Sequence, residues 1–418
     1  MYFTYTLILA LGLIVSFPYY LVRFRKYAPT LADRLGFLKL PQLRGSIWVH
    51  AVSVGEVKAV ERLLERLREQ FPDKPLVVST ATPAGQQLAR DRRDIVDHTM
   101  YFPIDLPWCV QRTLDRVNPE LMIIAETEIW PNFLKTCRNR GIRVVMINGR
   151  ISDKSFARYR LIRHWLRRVF ESYSIIGMQS ELDRERIEAI GADPQKVTVF
   201  GNLKYDVAPR SGTVKTELVH LLEGWKKVWI AASTMPGEEE FILDAFRQVR
   251  TLHPDLRLVI APRNPERFDA VDEMLKRSGA EAIRRTEVRI SNSPAAPILL
   301  LDSIGELAAL FHYATVVFVG GSLVARGGHN ILEPARCGKP VVFGPHMENF
   351  RDITRLFLEA NAAIQIGESS QLAAALSDVL SNPAKAEDIG GKALAVVERN
   401  SGATDRVLQV LEPIGASR

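Results

Sequence analysis

Short apolar runs alternate along most of this chain with stretches whose apolar positions recur every three to four residues. The short runs read as buried strands and the 3.6-residue patterns as helices. In the first half the predicted strands are Ile47–Val52, Leu76–Thr80, Met100–Pro103, Leu121–Ala125, Val144–Ile147 and Ile175–Met178. Helical stretches lie between them, among them Val57–Gln70, Asp105–Val117 and Phe156–Phe170. The pattern breaks around Lys204–Gly224, where Ala208-Pro209-Arg210-Ser211-Gly212 reads as a linker. It restarts with strand Val228–Ala232, helix Glu238–Leu252, strand Arg257–Ala261, helix Glu266–Ser278, strand Ile298–Leu301, helix Ile304–His312 and strand Val316–Val319. The end is helical from about Ser369 to Leu411. Strands alternating with helices predict βαβ units and parallel sheets. Two doubly wound α/β halves would place a ligand crevice at the carboxyl ends of their strands.

The first twenty-two residues, Met1 to Val22, carry no charge, and Arg23, Arg25 and Lys26 follow. A helix of ~20 apolar residues rises ~30 Å, about the thickness of a bilayer's hydrocarbon core. A cleavable signal peptide carries its charge before the apolar run and a small-residue cleavage site after it. Here the charge follows, and Phe17-Pro18-Tyr19-Tyr20 makes a poor cleavage site. The expectation is an N-terminal membrane anchor, with the basic cluster and the body on the cytoplasmic side and Tyr19 and Tyr20 at headgroup level. A core helix or an interfacial helix is the alternative. The predicted organisation is an anchor over residues 1–22, an N-terminal domain over 23–206, a linker over 207–225, and a C-terminal domain with terminal helices over 226–418.

Composition narrows the class. The chain has 418 residues, 47% of them hydrophobic and 25% charged, ordinary values for a globular protein. Its net charge of +7 and pI of about 9.3 are modest for a nucleic-acid binder, and no recognition motif is present, so no nucleic-acid partner is expected. A mild positive excess fits an anionic membrane face. Cys109, Cys137 and Cys337 are isolated. Their spacing suits neither zinc nor a disulfide framework and points to a reducing compartment.

The densest candidate site is Gly320-Gly321-Ser322 with Gly327-Gly328-His329-Asn330, after a predicted strand and before a helix expected to start near Asn330. Glycines there can let backbone N–H groups approach an anion, aided by the helix N-terminus. A structural turn with a helix cap is the alternative. Neither the dinucleotide fingerprint nor a P-loop is present. Asn330-Ile331-Leu332-Glu333-Pro334 then leads into Gly338-Lys339-Pro340-Val341-Val342-Phe343-Gly344-Pro345. This order resembles the nucleotide site of two-domain glycosyltransferases of the GT-B type.

More specifically, the chain resembles the 3-deoxy-D-manno-octulosonic acid (Kdo) transferases of lipopolysaccharide synthesis. The residues that carry the resemblance are Gly320-Gly321-Ser322-Leu323-Val324, Arg326-Gly327-Gly328-His329-Asn330, Leu332-Glu333 and Gly344-Pro345-His346. His50-Ala51-Val52-Ser53-Val54-Gly55-Glu56, Glu126-Thr127-Glu128-Ile129-Trp130-Pro131, Asn148-Gly149-Arg150-Ile151-Ser152, Gly201-Asn202-Leu203-Lys204-Tyr205-Asp206 and Pro262-Arg263 agree in order. The resemblance covers essentially the whole chain. One departure is visible: Asn264 stands where the family commonly has histidine after Pro-Arg. Arg263 can still pair an anion, and Asn264 offers an amide in place of the imidazole.

The resemblance implies a GT-B fold, two Rossmann-like doubly wound domains facing a central crevice, with an anchor helix on the inner membrane. It implies inverting transfer of Kdo from CMP-Kdo to a lipid A precursor, without cofactor or metal. Glu56, at a helix start, would be the general base, and Glu126 would join the active site. The implied substrate-binding residues are Ser53, Arg150, Ser233, Arg263, Asn264, Gly321, Gly327, Gly328, His329, Asn330 and Glu333. The helix N-terminus would hold Glu56 ionised at neutral pH; from the residues alone, Glu56 reads first as a helix-start acid complementing the dipole. Glu126 and Glu128 read as strand-end acids or as a helix-start pair. Ala232–Glu238 reads as a phosphate contact or an ordinary cap. Ala51-x-Ser53-x-Gly55 mimics a nucleophile elbow, for which Asp302 and His329 or His346 would have to complete a hydrolase triad. The arginines Arg158, Arg160, Arg163, Arg167 and Arg168, with Phe156, Ile162, Trp165, Leu166 and Phe170, suit a lipid surface or an ordinary solvated helix face. An epimerase of the same fold and a non-catalytic lipid or sugar-nucleotide sensor are the functional alternatives.

Overall fold

A computed structural model describes residues 1–22, 24–206, 216–289 and 296–411, the side chains of 17–27 excepted. The chain divides into two compact units, Met1–Val207 with Asn400–Arg418, and Ala208–Arg399.

The first unit is built on seven strands: β1 (Ser46–His50), β2 (Leu76–Thr80), β3 (His98–Tyr101), β4 (Pro119–Ala125), β5 (Arg143–Gly149), β6 (Ile175–Met178) and β7 (Val197–Val199). Their order is β3-β2-β1-β4-β5-β6-β7, and every pairing is parallel. The central strands are mostly apolar because both faces are covered, with buried polar residues such as His50, Ser79, Thr80 and Asn148 towards their carboxyl ends. Alternation sends Trp48, Met122, Ile124 and Met146 to one face and Val49, Ile123, Val145 and Ile147 to the other. The winding reverses between β1 and β4, where a ligand crevice is expected beyond the carboxyl ends.

The second unit repeats the plan with β8 (Lys227–Thr234), β9 (Leu256–Pro262), β10 (Ala282–Arg284), β11 (Ile298–Leu300), β12 (Val316–Val319), β13 (Val341–Phe343) and β14 (Ile364–Gln365). Their order is β10-β11-β9-β8-β12-β13-β14, again parallel. Trp229, Ala231, Leu258, Ile260 and Phe318 form its core with Phe246 and Leu376 from flanking helices.

Four features differ from the sequence reading. The last helix, Ala403–Leu411, packs in the first unit, not the second: Ala403, Val407, Leu408 and Leu411 join the cluster around Val49 and Ile123. The expected helix Phe156–Phe170 is two helices, Asp153–Leu161 and Arg163–Phe170, broken at Ile162. The break lets the second bury Leu166, Val169 and Phe170 while the first buries nothing. Helix Thr216–Glu223 occupies part of the expected linker; residues 207–215 lie outside the described part. Finally, among the described residues no helix is long and apolar enough to cross a membrane.

The N-terminal helix, Tyr2–Val22, does form. Tyr5 lies 6.0 Å from the Trp165 ring. The Thr6 hydroxyl accepts from Asn132 Nδ2 at 2.9 Å, and Lys135 Nζ sits 4.6 Å from the Tyr2 ring centre. Phe3, Leu7, Ile8, Leu11, Ile14 and Val15 remain exposed. The side chains of Tyr19, Tyr20, Arg23, Arg25 and Lys26, on which the orientation argument rested, lie outside the described part.

Candidate active site

In the first unit, His50 of β1 pairs with Ile124 of β4. The two strands therefore release residues 51–56 and 126–128 side by side at the carboxyl edge. Ser53 takes the N-cap position of helix Val54–Gln70 without a capping bond to its backbone. Its hydroxyl instead donates to Glu56 Oε1 at 3.0 Å, while the Val52 N–H donates to Oε2 at 2.7 Å. Glu56 is thus oriented by two donors and only 8% exposed. Burial raises its pKa against the Val52 bond; Glu126 raises it further, and Ser53 and Lys204 lower it. Burial is the largest influence, because desolvation penalises the charged form.

Glu126 holds a left-handed backbone, φ 61°, unfavourable for a residue with a Cβ, and its N–H donates to Ile147 O at 2.8 Å. Asn148, at the end of β5, is left-handed too, φ 56°; its Oδ1 accepts from the Leu203 N–H at 3.1 Å. Glu128 is pushed up to about 7, first by burial and then by Glu56 and Glu126. Thr127 and Arg150 close a reciprocal pair: the Thr127 hydroxyl donates to Arg150 O at 2.7 Å and accepts the Arg150 N–H at 2.8 Å. The edge therefore gathers Ser53, Glu56, Glu126, Glu128 and Lys204, with Arg150 tied to the same loop. Glu128 and Lys204 were not among the predicted site residues; the signals for them were the place of Glu128 just beyond a predicted strand and the membership of both in the motifs that carry the family resemblance.

The nucleophile elbow is not assembled. The Ser53 hydroxyl donates to a carboxylate, not to an imidazole. Asp302 is committed to Arg284 at 2.8 Å and to Thr286 at 2.7 Å.

In the second unit, adjacent strands β9, β8, β12 and β13 bring four loops to one edge. Ser233, φ 55°, is the next-to-last residue of β8. The Arg263 N–H after β9 donates to Thr234 O at 3.0 Å, and Asn264 caps the short turn Pro265–Arg267. Gly321, Gly327 and Gly328 all have positive φ. Their lack of side chains serves packing within the protein. A Cβ on Gly327 would meet Asn349 at 2.4 Å, and one on Gly328 would meet Met347 at 2.3 Å.

This corrects the reading of Gly321. Its N–H is not offered to a ligand but is taken by the Glu238 carboxylate at 2.7 Å. Gly328 N–H is likewise spent, on Gly321 O at 2.8 Å. The helix expected to begin near Asn330 is the five-residue Leu332–Arg336, with Gly338 just beyond its end, and its dipole is correspondingly small. Asn330 Oδ1 accepts the Leu332 N–H at 3.0 Å, and its Nδ2 donates to Glu333 Oε1 at 3.2 Å. With the Gly328 N–H and the Asn330 side chain so engaged, the anion-binding case on this edge rests first on Arg263 and Asn264. Among the described residues no cluster of His, Cys, Asp or Glu could hold a metal ion.

Two parallel-sheet α/β units, each doubly wound, are the architecture of the GT-B fold. A putative UDP-N-acetylglucosamine 2-epimerase from Listeria monocytogenes shares that fold, with a TM-score of 0.57 and 16% identity over 90% of this chain and 98% of that one. Residues 29–207 match the family model for 3-deoxy-D-manno-octulosonic-acid transferase (kdotransferase). A 3-deoxy-D-manno-octulosonic acid transferase of Haemophilus influenzae is 34% identical over 99% of this chain and 98% of its own length. Its counterpart in Bordetella pertussis is 30% identical over 92% and 91%. The chain belongs to the 3-deoxy-D-manno-octulosonic acid transferase family and is a glycosyltransferase.

Proposed function

We propose that this enzyme transfers Kdo from CMP-Kdo to a lipid A precursor with inversion at the anomeric carbon. The acceptor hydroxyl oxygen forms the new bond, the bond from that carbon to the CMP phosphate breaks, and CMP leaves. Glu56 takes the hydroxyl proton. The observation that carries this reading is the orientation of Glu56 by Val52 N–H and the Ser53 hydroxyl. Burial beside Glu126 raises its basicity, which strengthens a carboxylate as general base near neutral pH. Arg263, Asn264 and the Gly327–Asn330 loop meet the donor's phosphate and sugar acid, and Glu333 meets the ribose. No metal is assigned to the step, since Arg263 can stabilise the leaving phosphate.

The outward face of helix Tyr2–Val22 supports membrane contact. Its apolar residues form one stripe, and Trp165, which packs on Tyr5, belongs to the arginine-rich helix Arg163–Phe170. An apolar stripe beside basic residues suits an anionic bilayer surface. The proposed location is the cytoplasmic face of the inner membrane.

The test is a transfer assay with CMP-Kdo, lipid A precursor and detergent, run with and without chelator. A glycosylated lipid plus CMP, formed equally with chelator, is expected. An altered sugar nucleotide and no lipid product would show an epimerase instead. Flotation with anionic but not zwitterionic vesicles tests the membrane face.

A further inference from the structure

Glu238 is fully buried, and its carboxylate accepts four backbone N–H groups. Oε2 takes Met235 at 2.9 Å and Gly321 at 2.7 Å; Oε1 takes Ser322 at 3.0 Å and Leu323 at 2.9 Å. Three consecutive amides converging on one point form a backbone nest, a common receptor for phosphate and other anions. Here the occupant is a side chain of the same protein, more than eighty residues earlier in sequence. Gly320 makes room for it: a Cβ there would stand 2.8 Å from Glu238 Oε2 and 2.6 Å from Ser233 O.

The nest is the hub of the surrounding loops. Gly321 gives its N–H to Glu238 and receives the Gly328 N–H on its carbonyl at 2.8 Å. A Cβ on Gly321 would meet the His329 ring at 3.0 Å, so the imidazole lies directly over this peptide. Ser322 Oγ accepts the Gly344 N–H at 2.9 Å, and Ser322 O accepts the His346 N–H at 3.0 Å. The carboxylate is therefore one bond away from a residue that holds Gly328-His329 and from one that holds Gly344-Pro345-His346.

We propose that Glu238 is a positioning residue of the donor site, a built-in anion that fills the Gly321–Leu323 nest and thereby sets the Gly328-His329 and Gly344–His346 loops against the sugar nucleotide. The inference rests on the donor assignment above. It also means that the donor's phosphate is excluded from those three amides and must bind elsewhere on the edge. All four bonds are donated to the carboxylate, so its function needs the ionised form. A carboxamide of the same shape would turn an NH₂ toward amide donors and leave them unsatisfied.

The experiment uses the full chain with E238Q and E238D. Calorimetry with CMP, steady-state constants for CMP-Kdo and for the lipid acceptor, thermal unfolding, and hydrogen exchange at residues 320–323 are compared. For E238Q the expected result is CMP affinity and donor KM worsened by about tenfold or more, equivalent to about 1.4 kcal/mol. The acceptor KM should stay within about twofold, and protection at 320–323 should fall. E238D, which keeps the charge, should recover part of the donor affinity. If E238Q does not fold, E238D alone decides, with a selective rise in donor KM expected. Unchanged donor constants, or donor and acceptor constants rising together with lost stability, would overturn the proposal. Wild type that fails to bind CMP would overturn the donor assignment and this inference with it; wild type that binds CMP equally to both variants would overturn this inference alone.

Discussion

The Ser53 hydroxyl stands 3.0 Å from Glu56 Oε1 and donates to it. Serine at an N-cap usually bonds the helix backbone, and this one bonds the side chain three residues on. The cap is traded for orientation of a carboxylate.

Glu56→Gln keeps the shape and removes the base. Turnover is expected to fall by roughly 10²–10⁴-fold, with CMP affinity unchanged within error. Ser53→Ala loses one orienting bond, and a fall in kcat of about tenfold is expected. Radiolabelled transfer and calorimetry on the same preparations measure both.

The acid limb of the pH–rate profile should lie above the ordinary glutamate value of about 4.3, because burial and Glu126 raise the Glu56 pKa. Glu126→Gln removes a neighbouring negative charge, so that limb should move to lower pH even where the maximal rate also drops. An unshifted limb in the variant would disconnect the two acids.

Glu128 keeps its proton in the native state to about 7, whereas an unfolded glutamate loses it near pH 4.3. Between those values the native state binds more protons than the unfolded chain. Stability from this group therefore falls as pH rises through that window and is level above it, by at most about 4 kcal/mol. Glu128→Gln should flatten the slope in urea unfolding measured at pH 5 and pH 7.

Asp206 caps the last helix from far away in sequence. Its carboxylate accepts the Gly402 and Thr404 N–H groups at the start of Ala403–Leu411. Asp206→Ala should cost about 1–2 kcal/mol and release this C-terminal helix first. Limited proteolysis near residue 400, with a thermal melt, reads both effects.

Gly320→Ala places a Cβ 2.6 Å from Ser233 O, closer than real contacts allow. The variant should lose roughly 1–3 kcal/mol of stability, as overpacked sites do. An unaltered melting temperature would show that the β8 and β12 loops are less tightly joined than described.

Much of this molecule follows from local pattern. Leu76–Thr80, Ile175–Met178 and Val316–Val319 form strands over the predicted ranges, because a strand buried on both faces leaves an apolar run with no other use. The motif glycines marked real loops for the same kind of reason: positive φ and close packing admit little else. Boundaries read less well where side-chain identity did not decide them. Nothing in Phe156–Phe170 announced the break at Ile162, because it depends on which face meets the core.

The chain's order of residues determined the two α/β halves, the family and the placing of Glu56 at a helix start, since these depend on short-range periodicity and on motifs. Only the tertiary structure decided which groups share an edge and what each bond is used for. It put Glu56, Glu126 and Glu128 within reach of one another's charge. It returned the last helix to the first unit on Asp206. It gave the Gly321–Leu323 amides to Glu238 and not to a ligand. Each outcome depends on contacts between residues far apart in sequence and on burial, which sets the cost of every charge, and neither can be read from local order.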